Sequence, residues 1–125
     1  MRILSIETSC DETALAILEA KGGLRNPGFK VLKNIVSSQV EIHRPWGGVV
    51  PNLAKREHIK NLPVVFKELT EDKKIKPDLL AVTVGPGLEP ALWTGVLFAK
   101  ELKKNIFPKI PLIGEIGRAS CRERV

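Results

Sequence analysis

The fold is decided by the opening stretch of the chain, MRILSIETSCDETALAIL, at residues 1–18. Two apolar runs, residues 3–6 and 14–18, enclose a polar segment. Short apolar runs on either side of a polar turn are typical of a β-hairpin. The sequence therefore predicts two antiparallel strands, at residues 2–7 and 13–19, with a turn between them.

This turn carries more chemistry than chain reversal requires. The hydroxyls of Thr8, Ser9 and Thr13, with the backbone N–H groups of the turn, could cradle an anion. Asp11 and Glu12 could position a metal, a water or a proton. Ser, Thr and Asp are also ordinary turn residues, because their side chains bond the local backbone. Residue types and spacing alone leave the structural and the functional interpretation open.

A third strand and a long helix follow the hairpin. Glycine, asparagine and proline cluster at residues 21–28 and predict a turn, and loosely alternating apolar residues predict a strand at residues 29–37. A helix begins near Asn52, an acceptable N-cap residue, and Pro63 should kink or divide it. Its apolar positions follow helical spacing: Leu53, Ile59, Leu62, Val65, Phe66 and Leu69.

The next part of the chain predicts a strand, a helix and another strand. Residues 78–84 are almost continuously apolar, which is typical of a strand buried in a parallel or mixed sheet. A helix follows from about Pro90 to Lys103, and residues 110–114 begin a further strand. The predicted order is β-β-β-α-β-α-β, an α/β fold with a mixed sheet and helices packed on its faces.

Gly85-Pro86-Gly87 joins the apolar strand to the second helix. A strand, a glycine-rich turn and a helix N-terminus form a common anion site, since unpaired N–H groups and the helix dipole point at the turn. The loop lacks the Lys-Ser/Thr pair of a P-loop and does not fit the dinucleotide fingerprint. The alternative is that the glycines only permit a sharp turn, and both interpretations stand.

Length, charge and cysteine content bound the answer. A chain of 125 residues is one domain, and its net charge of +6 suits an anionic partner, although many proteins carry as much. No apolar run reaches the roughly 18 residues of a membrane span, and no signal-peptide pattern occurs. We therefore expect a cytoplasmic protein with no membrane partner. Cys10 and Cys121 are not a disulfide framework, and we interpret Cys10 as a small, partly buried residue.

His43, Trp46 and His58 are candidate ligand contacts. His43 and Trp46 lie in an irregular segment, where such side chains more often pack or face solvent. His58 lies fifteen residues from His43, which is not a metal-ligand spacing. We therefore expect no metal site from these residues.

Three blocks of sequence, in the same order, resemble the universal tRNA threonylcarbamoyladenosine synthase family, the bacterial TsaD or Gcp proteins once described as O-sialoglycoprotein endopeptidases. The blocks are ILSIETSCDET at residues 3–13, GGVVPNLAKREH at residues 47–58 and VGPGL at residues 84–88. They run through nearly all of residues 1–114. For this segment the resemblance implies the first, N-terminal ribonuclease H-like lobe of an actin-like ATPase superfamily member.

The resemblance also implies an activity and a set of site residues. Members of this family transfer a threonylcarbamoyl group from threonylcarbamoyl-AMP to N6 of adenosine 37 of tRNA. By similarity, Asp11 and Glu12 are catalytic carboxylates that handle protons or order water. The residues implied to line the cleft or shape its wall are Ser9, Cys10, Gly85, Pro86 and Gly87.

A cofactor and partners follow from the same resemblance. The full-length protein is expected to bind one divalent metal, iron, through a His-Met-Glu-Gly-His-like motif shortly after Gly114 and a later Asp, which this chain lacks. The chain alone should therefore be inactive. The implied partners are tRNA, threonylcarbamoyl-AMP, and the small paralogue and ATPase subunits of the bacterial synthase complex. One departure is Glu89-Pro90 in place of Val-Gly, since a carboxylate there would oppose a phosphate.

Two other functions stay open. One is a non-catalytic paralogue that scaffolds the synthase by dimerising through this lobe, and the other is a small-molecule kinase of the actin-like superfamily. Scaffold paralogues resemble Asp-Thr-Ser-Thr where this chain has SCDET at residues 9–13. The block at residues 47–58 argues against a kinase.

Residues 115–125, EIGRASCRERV, resemble translated sequencing-adapter read-through, because one reading of a common adapter oligonucleotide encodes residues 116–125 without a mismatch. Such segments are excluded from fold reasoning. We therefore expect a lobe at residues 1–114, truncated from a longer protein, and a non-native, disordered tail at residues 115–125. A genuine arginine-rich C-terminus is the alternative.

Overall fold

The computed structural model describes residues 1–71 and 76–117. The elements are β1 (Arg2–Glu7), β2 (Glu12–Lys21), β3 (Gly28–Ser38), α1 (Val40–His43), a 3-10 turn (Arg44–Trp46), α2 (Pro51–Leu69), β4 (Leu79–Gly85), α3 (Glu89–Asn105) and β5 (Leu112–Ile116). Predicted and observed boundaries agree to within about two residues, the ordinary variation between assignments. The short segment of α1 and the 3-10 turn is an addition to the predicted order.

The five strands form one mixed sheet in the order β3-β2-β1-β4-β5. The first three strands are an antiparallel meander, and β4 and β5 run parallel to β1. The predicted mixed sheet is confirmed. Because β1 has an antiparallel neighbour on one side and a parallel neighbour on the other, it lies at the centre of the sheet.

Both long helices pack on one face of this sheet. Side chains alternate along the strands, so that every second residue of β1, β2 and β4 meets the helices. The core residues that are almost fully buried are Leu4, Ile6, Leu15, Ile17, Leu62, Leu69 and Leu80. Phe66 packs edge-on against Phe98 and Phe107, at centroid distances of 5.9 and 6.4 Å, and joins α2 to α3. The helices described here therefore cover one face of the sheet, not both.

The sequence predicts that Pro63 kinks or divides the long helix, and the structure shows no division. The structure has a single helix from Pro51 to Leu69 with Pro63 inside it. Pro63 is exposed, whereas Leu62 and Val65 on either side are buried in the core. Packing on both sides of the proline outweighs the loss of one helical hydrogen bond.

The apolar stripe predicted for this helix also needs one correction. Ile59 was assigned to the core, but 56% of its surface is exposed. Its neighbour His58 is fully buried instead and continues the buried row of Ala54 and Leu62 at four-residue spacing. A polar side chain thus occupies a core position of α2, and the functional site explains why.

The predicted tail begins inside the last strand. Residues Glu115 and Ile116 belong to β5, where they pair with Thr83 and Gly85. The backbone N–H of Gly117 donates to the carbonyl of Gly85 at 2.7 Å. The rest of the predicted tail, residues 118–125, lies outside the described residues.

In the described part of the chain, no helix is both long enough and apolar enough to cross a bilayer.

We predict that Leu62→Ala destabilises the chain by about 2–5 kcal/mol, because Leu62 is 1% exposed and its loss leaves a cavity between α2 and the sheet. The measurement is urea unfolding followed by circular dichroism. Val64→Ala is the matched control on the same helix, since Val64 is 63% exposed and should change stability by less than about 0.5 kcal/mol. Equal effects of the two substitutions would contradict the assigned core.

Candidate functional site

The candidate site lies where β1 and β4 end. These strands are parallel neighbours, so their carboxyl ends meet at the same edge of the sheet. The turn after β1 carries Ser9, Cys10 and Asp11, and the loop after β4 carries Pro86 and Gly87. In open α/β sheets, ligands bind outside the carboxyl ends of the strands where the strand order reverses. The topology therefore brings the two predicted blocks together.

The two segments touch directly. The backbone N–H of Leu88 donates to the carbonyl of Ser9 at 2.9 Å. A Cβ placed on Gly87 would lie 2.6 Å from this carbonyl oxygen and 2.8 Å from Ser9 Cβ. A glycine is needed here because any side chain would collide with the turn. The Gly85–Pro86 peptide bond of this loop is cis.

The start of the turn is fastened to α3. Thr8 is fully buried, and its hydroxyl donates to the carbonyl of Ala91 at 2.8 Å. Gly95 permits this close approach, because a Cβ on Gly95 would lie 2.5 Å from Thr8 Oγ1. Ser9 donates its backbone N–H to Glu7 Oε1 at 2.8 Å. The end of β1 is thus held against the first turns of α3.

The two predicted carboxylates occupy different surroundings. Asp11 is half-buried and lines a cavity of about 360 Å³ together with His43, Arg44 and the backbone of residues 47–49. Glu12 is the first residue of β2 and is also half-buried. By the alternation of β2, Glu12 lies on the sheet face opposite to Thr13, which is buried under α2. Asp11 therefore faces the cavity, and Glu12 does not line it.

His58 binds the turn from below. Its Nε2 lies 2.9 Å from the carbonyl oxygen of Cys10, so Nε2 carries a proton and donates. Its Nδ1 lies 2.7 Å from Thr13 Oγ1 and 3.3 Å from Gln39 Nε2. An amide NH₂ can only donate, so Nδ1 is the acceptor and the ring is neutral. This explains how a histidine occupies a core position of α2.

The network continues through Gln39 to a second histidine. Gln39 is fully buried, and its Oε1 accepts from His43 Nε2 at 2.9 Å. The backbone N–H of Val50 donates to His43 Nδ1 at 3.1 Å. Gln39 also donates its backbone N–H to the carbonyl of Asp11 at 2.8 Å. Every polar atom in this chain of contacts has a partner, as buried polar groups require.

Burial lowers the pKa of His58 below its ordinary value of 6.5, because the charged ring loses its water. The hydrogen bond to the Cys10 carbonyl and the charges of Glu7 and Asp11 act in the opposite direction. The electrostatic influence of His43 adds to the lowering. The balance keeps His58 neutral, in agreement with its hydrogen bonds.

Sequence reasoning missed these polar residues. His43 was correctly assigned a packing role, because it is 3% exposed, and Trp46 faces solvent at 69% exposure. His58 and Gln39 were not predicted as part of the site. The available signal was the position of His58, four residues from both Ala54 and Leu62 in the buried row of α2.

The described residues do not fit a divalent metal. No cluster of three or more His, Cys, Asp or Glu side chains with suitable geometry occurs within residues 1–71 and 76–117. His43 and His58 each use both ring nitrogens in hydrogen bonds, so neither has a lone pair left for a metal.

The anion-site interpretation of the loop after β4 is weakened by Glu89. This residue is exposed and begins α3, where its negative carboxylate is stabilised by the positive end of the helix dipole. A phosphate at the same place would meet this negative charge. A separate apolar groove of about 650 Å³ runs between α2 and α3 past Ile59, Trp93 and Leu97, and none of the predicted site residues lines it.

The sequence is similar to one family of known proteins. The family model described as TsaD, tRNA N6-adenosine threonylcarbamoyltransferase, matches residues 30–115. A protein of that name from Thermosipho melanesiensis is 49% identical over 117 residues, 91% of this chain and 33% of the relative. One from Fusobacterium nucleatum is 49% identical over 117 residues, 90% and 32% of the respective chains. The chain thus spans about a third of the length of these relatives.

Two solved structures share the architecture. YeaZ from Pseudomonas aeruginosa superposes with a TM-score of 0.61 at 16% identity, over 98% of this chain and 47% of that one. RuvC from Thermus thermophilus, in complex with a Holliday junction substrate, gives a TM-score of 0.57 at 14% identity, over 94% and 66%. At such identities the likeness concerns the fold alone, and it confirms the predicted ribonuclease H-like lobe.

We predict that Gly87→Ala destabilises the chain by about 1–3 kcal/mol, because the new methyl group would collide with the carbonyl and Cβ of Ser9. The measurement is the free energy of unfolding in urea. Gly48→Ala is the control, since a Cβ at Gly48 meets no atom within 4 Å. If Gly87→Ala were as stable as this control, the close contact between the loop and the turn would be refuted.

We also predict that His58 makes the chain less stable in mild acid. The pKa of His58 is near 6.5 in the unfolded chain and lower in the folded state. At pH values between these two pKa values, the unfolded chain binds more protons than the folded chain. The stabilisation is complete above the unfolded-state pKa and is lost as the pH falls from there through the folded-state pKa. Urea unfolding of wild type and His58→Gln at about pH 7.5 and about pH 5.5 measures this loss. A loss of equal size in His58→Gln would contradict the assignment.

Proposed function

The chain belongs to the TsaD family of tRNA N6-adenosine threonylcarbamoyltransferases, and we propose that it is the amino-terminal lobe of a longer enzyme with that activity. The enzyme would transfer a threonylcarbamoyl group from threonylcarbamoyl-AMP to N6 of adenosine 37 in tRNA. The observation that carries this proposal is the family match over residues 30–115, together with the turn after β1 held against the loop after β4.

We assign roles to the two carboxylates of the turn. In the reaction, the exocyclic amine of adenosine attacks the carbamoyl carbon and AMP leaves, so the amine nitrogen must lose a proton. Asp11 lines an open cavity beside the turn, where a carboxylate could accept that proton as a general base. Glu12 begins the next strand and would order water or share the proton.

We assign the remaining predicted residues to the walls of the cleft. Ser9 and Cys10 are half-buried in the turn and would contact the acyl-adenylate. Gly85, Pro86 and Gly87 would shape the cleft wall next to the turn, since Gly87 lies directly against Ser9.

The cofactor and partners belong to the longer protein. A developing negative charge on the carbonyl oxygen needs an electrophilic partner, and we expect a divalent metal, iron, held by residues outside those described here. Besides tRNA and threonylcarbamoyl-AMP, we expect a small paralogue and ATPase subunits as partners, in the cytoplasm. A net charge of +6 supports an anionic substrate.

The test is transfer of labelled threonylcarbamoyl from threonylcarbamoyl-AMP to unmodified tRNA by the longer protein, with its partner subunits added. We predict that Asp11→Asn and Glu12→Gln each lower the rate at least about 10²-fold, because a positioned proton acceptor contributes this much. The measurement is labelled adenosine per tRNA as a function of time.

Glu19→Gln is the control for these variants. Glu19 lies at the far end of β2 and pairs with Lys21 at 3.2 Å, so the substitution should leave transfer unchanged. No transfer by the wild-type protein with all subunits present would overturn the proposed activity and favour the scaffolding alternative. Transfer with normal rates in both carboxylate variants would overturn only their roles.

A further inference from the structure

We propose that His58 is a positioning residue that fixes the backbone of the turn after β1 by donating its Nε2–H to the carbonyl of Cys10. The inference rests on the proposed function insofar as this turn carries the catalytic carboxylates. His58 acts through the turn and is not assigned any contact with substrate.

The turn is held at three successive carbonyl groups by three different parts of the chain. The carbonyl of Ser9 accepts from the N–H of Leu88, that of Cys10 from His58 Nε2, and that of Asp11 from the N–H of Gln39. The distances are 2.9, 2.9 and 2.8 Å. Two of these donors are backbone groups, and the middle one is a side chain.

The middle donor comes from a helix. Residues 8–11 form the turn between β1 and β2, and the hydrogen bond from His58 to the carbonyl of Cys10 joins this turn to α2. The imidazole reaches the turn because α2 packs on β2.

The imidazole is itself immobilised. His58 is fully buried, and Thr13 and Gln39 both contact its Nδ1. These donors at Nδ1 place the proton on Nε2, which is the tautomer that the Cys10 carbonyl needs. Thr13 is the second residue of β2, so the same ring is bound on both sides of the residue pair Asp11 and Glu12.

The consequence concerns the carboxylate of Asp11. Its backbone is fixed on both sides, by His58 at the preceding carbonyl and by Gln39 at its own. Gln39 also binds His43, which lines the cavity beside Asp11. The network therefore sets the direction in which the Asp11 side chain leaves the turn, and a displacement of about 1 Å in such a group can cost about 10²-fold in rate.

The experiment compares His58→Asn with His58→Gln in the longer protein. The amide N–H of Gln reaches the place of Nε2 and can donate to Cys10, whereas the shorter Asn replaces only Nδ1. We expect His58→Asn to lower kcat for transfer by about 10²-fold with KM for tRNA within about twofold, and His58→Gln to recover most of the rate.

A matched variant separates positioning from loss of stability. Val65→Ala lies on the same helix, is 3% exposed in wild type and has no part in the polar network. At a temperature where Val65→Ala and His58→Asn are folded to the same extent, Val65→Ala should keep its rate. If the two variants lose activity in parallel, or if His58→Asn keeps the wild-type kcat, the proposal is overturned.

A spectroscopic measurement tests the hydrogen bond without any activity. In the 125-residue chain, Cys10 is the one cysteine followed by aspartate, so ¹³C-carbonyl cysteine with ¹⁵N-aspartate gives a single signal from this peptide bond. His58→Asn should shift this signal and His58→Gln should move it less. An unchanged signal in His58→Asn overturns the proposal. Inactive wild-type enzyme with the expected shift refutes the proposed function alone.

Discussion

Three hydrogen bonds to successive carbonyls of the turn after β1 are the interaction on which the arrangement of this lobe depends. They bind the turn to the loop before α3, to the middle of α2, and to the segment after β3. Of these, α2 also packs on β2 and β3. The turn is thus the point where separate parts of the fold meet.

Five buried polar side chains surround this turn. Thr8, Thr13, Gln39, His43 and His58 are buried among apolar residues, and every one has a hydrogen-bond partner. A fully satisfied network is rigid, whereas the loss of one member leaves buried donors or acceptors unpaired. The same five residues would fill their space more simply as apolar side chains, so their presence is best explained by the backbone geometry that they impose.

The sequence predicted the sheet better than the site. The apolar runs at residues 3–6, 14–18 and 78–84 are local signals, and the strands formed where these signals indicated. Only the family resemblance implied that Ser9 and Gly87 belong to one cleft, because these residues are far apart in the chain. The burial of His58 depends on Thr13, 45 residues away. The periodicity of apolar residues placed Ile59 in the core instead. Hydropathy cannot indicate that a polar side chain such as His58 will find hydrogen-bond partners when it is buried.

The central place of β1 in the sheet has a consequence for the order in which the chain folds during synthesis. Of the five strands described, β1 is made first and pairs early with β2, its nearest neighbour in sequence. Its other edge waits for β4, some 76 residues later. Closing so long a loop is slow compared with forming a hairpin. Until then the nascent meander has an open inner edge, to which another extended chain could add. The strand at the centre of the finished sheet is thus an edge strand until β4 has been made.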